Sequence, residues 1–90
     1  MTTESSEFKI VNRLGLHARA AAQLVQTANQ FLSDVTIAKD GNEVNGKSIM
    51  GLLMLAAPQG SRITVTVSGL DAAEALKVIG MLINDGFGED

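Results

Sequence analysis

Ninety residues, 46% apolar and 19% charged, are enough for one globular core and exclude both a disordered chain and a two-core one. Seven Lys and Arg against ten Asp and Glu leave a net charge of -3. With no Trp or Tyr and only three Phe, the chain lacks the basic face and the stacking aromatics of a nucleic-acid binder, so no nucleic-acid partner is expected. The absence of cysteine excludes disulfides, thiolate catalysis and Cys-ligated zinc, and a single histidine argues against a metal site.

The opening Met1–Glu7 is polar and acidic, unlike a secretion signal. The longest apolar run, Ile49 to Ala57, falls far short of the ~20 residues a membrane helix needs, so no membrane insertion is expected. The expectation is a cytoplasmic protein with one domain over residues 1–90, of which 1–6 read as a flexible tail.

Phe8, Ile10 and Asn12 alternate with Lys9 and Val11 and predict a strand over 8–12. A helix is predicted over 20–31, because Leu16, Ala20, Ala21, Leu24, Val25, Ala28 and Phe31 recur at three- and four-residue spacing. Arg19, Gln23, Gln26 and Gln30 fall on its other side. Val35 and Ile37 alternate with Thr36 and Ala38 in a second strand. Asp40-Gly41 marks a hairpin, with a short return over 43–45. Ser48 is a fitting N-cap for a short helix over 49–55, ended by Pro58 and Gly60. Ile63, Val65 and Val67 alternate with Thr64, Thr66 and Ser68 in the clearest strand. Asp71 and Glu74 stand at capping-box spacing before a last helix that buries Ala72, Ala75, Leu76, Ile79 and Ile83, with Gly86 as its stop. The predicted fold is an α+β open-faced sandwich of order β-α-β-β-α-β-α. Its four-stranded, mostly antiparallel sheet carries three helices on one face.

Two stretches carry chemistry. Gly15-Leu16-His17-Ala18-Arg19 joins a strand to a helix and leaves His17 at the helix entrance. There the first backbone N–H groups have no intrahelical partner, and the dipole end is positive. Arg19 adds a fixed cationic fork suited to phosphate oxygens. The bland alternative is a surface histidine that merely begins a helix.

Gly41 to Ser48 matches the P-loop pattern G-x-x-x-x-G-K-[ST] letter for letter, but the context fails it. Its first glycine falls in a hairpin turn, Glu43 would put a carboxylate in the phosphate cradle, and no buried parallel strand precedes it. The second stretch is Ile49-Met50-Gly51-Leu52-Leu53-Met54-Leu55, apolar all round. Such a helix is either deeply buried or, on a sheet covered on one face only, partly exposed as a docking surface.

Together these stretches resemble HPr, the histidine-containing phosphocarrier of the bacterial phosphoenolpyruvate-dependent phosphotransferase system. The resemblance rests on Gly-Leu-His-Ala-Arg at 15–19, Val-Asn-x-Lys-Ser-Ile-Met-Gly-Leu at 44–52 and Gln59-Gly60 with the Ile/Val alternation after it. Ser68-Gly69-x-Asp71 and Phe87-Gly88-Glu89 add to it. It implies that His17 accepts a phosphoryl group from enzyme I and passes it to an enzyme IIA-type acceptor, with Arg19 stabilising the charge. The chain would then be a monomeric protein carrier without cofactor or metal rather than a stand-alone enzyme.

By the same resemblance Ser48 is a regulatory site for an HPr kinase/phosphorylase, and Ala18, Ile49, Met50 and Leu53 face partners. A regulatory adaptor, switched at Ser48 and binding a kinase or transcription regulator, is the alternative. The relay ends either in sugar uptake or in nitrogen-related regulation. The run from Asn84 to Asp90 and the Leu-Leu-Met-Leu segment incline toward the second. One departure stands out: the family usually reads His-x-Arg-Pro, and residue 20 is Ala. Alanine supports the helix and restores an N–H donor near the phosphate, so transfer should survive with altered phosphohistidine stability.

Overall fold

In the computed structural model, which describes residues 2–89, the elements run β1 (Thr2–Lys9), α1 (Ala18–Ala28), β2 (Asp34–Lys39), β3 (Asn42–Asn45), α2 (Ile49–Leu55), β4 (Arg62–Gly69) and α3 (Ala72–Asn84). A single left-handed turn over Gly86–Gly88 follows. Met1 and Asp90, included above in the tail and the closing run, lie outside the described residues. The sheet has the order β1-β4-β2-β3, and every pairing is antiparallel. Residues of β4 alternate strictly, with Ile63, Val65 and Val67 buried. They meet Leu24 of α1, Leu52 of α2 and Ile79 and Ile83 of α3 in one core under the helices. Each fully buried aliphatic side chain of this kind stabilises the fold by about 1.5–3 kcal/mol. None of the helices among the described residues is long and apolar enough to cross a membrane.

The flexible tail expected over 1–6 is not observed. Residues from Thr2 onward belong to β1, paired with β4 from Thr2 opposite Gly69 to Lys9 opposite Arg62. The polar composition that suggested a tail instead suits an edge strand on the open face. Thr3 hydrogen-bonds Ser68 at 3.1 Å and Ser5 hydrogen-bonds Thr66 at 3.0 Å across the pair. The strand expected over 8–12 therefore ends at Lys9, although Ile10 and Asn12 remain buried. The two P-loop glycines are accounted for by the β2–β3 hairpin and by packing of Gly46 on Val35, whose carbonyl accepts the Gly46 N–H at 2.7 Å.

Helix α1 starts earlier and stops earlier than the 20–31 expected. Ala18 is its first residue, and beyond Ala28 the chain continues in single turns that keep Phe31 packed on the core. In α2 the Ser48 Oγ accepts the Gly51 N–H at 3.1 Å, as an N-cap does. The helix ends through a left-handed Ala56 (φ 50°), before Pro58 and Gly60 are reached.

The capping box expected at Asp71 and Glu74 does not form, and the Asp71 side chain makes no cap hydrogen bond. Its carboxylate turns to the loop before β2. There it accepts the Leu32 N–H at 2.9 Å, the Ser33 N–H at 3.0 Å and the Ser33 hydroxyl. These bonds, the Ser33 hydroxyl foremost, hold the carboxyl below its ordinary 3.8. A carboxyl depressed by folding adds stability above its unfolded value and loses it as pH falls through the lower folded one. Asp71→Ala is thus expected to melt at lower temperature than wild type at neutral pH, with the gap closing below pH 3.8. Thermal melts across that range test it, and a gap independent of pH would contradict it.

Candidate functional site

Asn12 is the buried polar residue from which the site is built. Only 1% exposed, three residues beyond the end of β1, it donates from Nδ2 to the Gly15 carbonyl at 2.7 Å and to Glu89 Oε1 at 3.0 Å. Gly15 turns the chain with φ +66°, and a Cβ there would lie 2.5 Å from the Ala57 carbonyl oxygen and 2.9 Å from Pro58 Cα. Its own carbonyl also accepts the His17 N–H at 2.9 Å, while the Leu16 N–H binds Ala57 O at 2.8 Å. The loop is thereby tied on both sides, and His17 emerges from it in extended conformation (φ -82°, ψ -179°) as the N-cap of α1.

The His17 side chain makes no cap hydrogen bond, leaving the N–H groups of Ala18, Arg19 and Ala20 free of helical acceptors. Nε2 lies 2.7 Å from Glu89 Oε2, and among the described residues no hydrogen bond engages Nδ1. With its side chain 27% exposed, His17 is open to an approaching partner. It lines a cleft of about 590 Å³ together with Arg13, Leu14, Ala18, Arg19 and Glu89. The Asn12 amide and then His17 hold the Glu89 carboxyl below its ordinary 4.5, so it is ionised at neutral pH.

The residues singled out in the sequence fall into two neighbouring groups. His17, Ala18 and Arg19 share the cleft. Ile49, Met50 and Leu53 lie exposed on α2, with Ser48 half-buried at its start. The two readings of the apolar helix both hold in part, for Leu52 and Leu55 are core while Met50 and Met54 are more than 70% exposed. Leu14, His17, Ala56 and Pro58 line a shallow depression between His17 and the C-terminal end of α2. Asn12, Arg13, Leu14 and Glu89 were not read from the sequence as site residues. For Asn12 a signal existed, since a polar residue occupies an inward position after Phe8 and Ile10. Glu89 offered none, because its contact spans 72 residues. Among the described residues no three His, Cys, Asp or Glu side chains gather into a set that would hold a metal ion.

A cleft that sets an N-cap histidine beside two arginines is chemically able to hold an anion. The family model described as PTS HPr component phosphorylation site matches residues 4–85. The chain belongs to the HPr family. It is 53% identical over 81 residues to the phosphocarrier protein HPr of Neisseria meningitidis serogroup A, covering 90% of this chain and 91% of the relative. It is 48% identical over 84 residues to that of Xylella fastidiosa strain Temecula1, covering 93% and 94%. The crystal structure of HPr-C-His from Thermoanaerobacter tengcongensis superposes with a TM-score of 0.93 at 42% identity, covering 97% of this chain and 98% of that one. The open sandwich expected from the sequence is therefore the HPr fold, and its function is that of a phosphocarrier in the phosphotransferase system. HPr proteins work by interacting with the other enzymes of that system.

Proposed function

We propose that this chain accepts a phosphoryl group from enzyme I on His17 and delivers it to an enzyme IIA-type acceptor, acting as a cytoplasmic monomer without cofactor. The observation that carries the reading is the pairing of an unengaged Nδ1 with the open first turn of α1. The Nδ1 lone pair attacks phosphorus as the donor's bond to phosphorus breaks, its electrons leaving with the donor. The N–H groups of the first turn and the guanidinium of Arg19 stabilise the negative oxygens of the transferring group. Transfer onward returns the electron pair of the N–P bond to Nδ1. Incubation with enzyme I and phosphoenolpyruvate, read by intact mass and acid lability, tests it. One acid-labile phosphate is expected, and none with an enzyme I active on another carrier would defeat the reading.

Docking is assigned to Ala18 and to the exposed face of α2 formed by Ile49, Met50 and Leu53. Ser48 is proposed as the regulatory position on that face. Its oxygen already accepts from Gly51, and a phosphate there would add about two negative charges beside an apolar surface. Ser48→Asp is expected to slow phosphorylation by enzyme I roughly tenfold, a docking loss near 1.4 kcal/mol. Ser48→Ala should leave the rate unchanged and cost about 1 kcal/mol of stability through the lost cap. Initial rates and urea melts of both variants check this, and equal rates for Ser48→Asp and wild type would argue against regulation here. The adaptor reading uses the same surface and would be favoured if His17→Ala kept the regulatory effect.

A further inference from the structure

The arm that follows α3 is anchored to the core by Phe87. Gly86, Phe87 and Gly88 take positive φ in succession (65°, 57° and 75°). Left-handed backbone costs a non-glycine residue about 1–3 kcal/mol, so Phe87 needs compensation. Burial supplies it, since Phe87 is only 2% exposed and packed in the core, where a phenyl ring gains about that much. Gly86 lies against Asn12 and Val11. The anchored turn sets down Glu89 with both carboxylate oxygens occupied, Oε1 by Asn12 at 3.0 Å and Oε2 by His17 at 2.7 Å.

An ionised carboxylate only accepts hydrogen bonds, so the proton between Glu89 and His17 belongs to the histidine. We propose that Glu89 is a positioning residue for phosphotransfer: by accepting the Nε2–H of His17 it holds the imidazole in the tautomer whose lone pair is on Nδ1 and aims that atom at the cleft. This rests on the carrier reading above. When Nδ1 bonds to phosphorus the Nε2 proton stays, the ring becomes an imidazolium, and its charge faces Glu89. When the N–P bond breaks toward an acceptor, its electrons return to Nδ1 and the original pair is restored. Arg13 and Arg19, which also line the cleft, are left to face the phosphoryl oxygens.

The test compares wild type with Glu89→Ala by ring ¹⁵N shifts of His17 in the neutral form and by the rate of phosphorylation by enzyme I. Phe87 is untouched, so the variant should stay folded, while the buried Asn12 amide loses one acceptor and the melting temperature should fall by several degrees. Wild type is expected to show the Nε2–H tautomer. In Glu89→Ala the shifts should move toward a tautomer mixture and the rate should fall about tenfold, the lower end for losing the partner that orients a functional histidine. A wild-type ring protonated on Nδ1 would overturn the proposal, as would ring shifts or a rate that the substitution leaves unchanged. Should wild type take no phosphate at all, the carrier reading fails, while the ring shifts still decide whether Glu89 sets the tautomer.

Discussion

His17→Ala is expected to take up no acid-labile phosphate from enzyme I and phosphoenolpyruvate, while remaining folded. The loss is total because the nucleophile itself is gone, and no other histidine is present to replace it. Folding is spared for a local reason. The side chain makes no cap bond to α1, and its hydrogen bond to Glu89 is at a partly exposed site. Its removal should therefore change stability by less than about 1 kcal/mol. Arg19→Ala separates electrostatics from nucleophilicity. Removing one preorganised donor from a buried oxyanion site costs about 10²–10³ in rate; Arg19 is solvent-exposed, so a loss of roughly 10- to 100-fold is expected. Intact mass over a time course reads all three proteins. An acid-labile phosphate on His17→Ala would move the carrier site elsewhere.

Gly15→Ala is expected to destabilise the protein by about 3 kcal/mol, combining ~1–3 for left-handed backbone with ~1–3 for overpacking. For a domain of this size that is roughly 12–24 °C in melting temperature. The added methyl has nowhere to go, since it meets backbone atoms of Ala57 and Pro58 rather than a flexible side-chain end. Relief requires moving the Gly15 carbonyl, which holds both the His17 N–H and Asn12. Phosphotransfer should slow as well, by up to ~10²-fold for a displacement of ~1 Å at the reacting atom. Gly41→Ala is the comparison: its φ is also positive (+83°) but nothing lies within 4 Å, so only the backbone cost applies and the site is untouched. Equal melting temperatures for the two variants would refute this account.

Much of the molecule was legible in the sequence because its signals are local. The alternation of Ile63, Val65 and Val67, the Asp40-Gly41 hairpin, the Ser48 cap and the apolar stripe of α1 each need only a few neighbouring residues to be expressed. His17 and Arg19 share one first turn, so their juxtaposition was fixed by two residues of spacing. The tail that proved to be β1 failed for the opposite reason: its strand character comes from pairing with β4, some sixty residues away, and an edge strand on an open face needs no apolar signal. Asp71 likewise left its local capping role because two loop N–H groups and a hydroxyl outcompeted one helical donor.

By itself, then, the sequence determined most of the elements, the place of His17 at the entrance of α1 and the family to which the chain belongs. The tertiary structure decided which nitrogen of that histidine is free, which side chains close the cleft around it and which half of α2 faces water. Those matters depend on Asn12 and Glu89 meeting across 77 residues and on which helix faces the sheet leaves uncovered. No short-range spacing encodes them, because they exist only once the core has brought the two ends of the chain together.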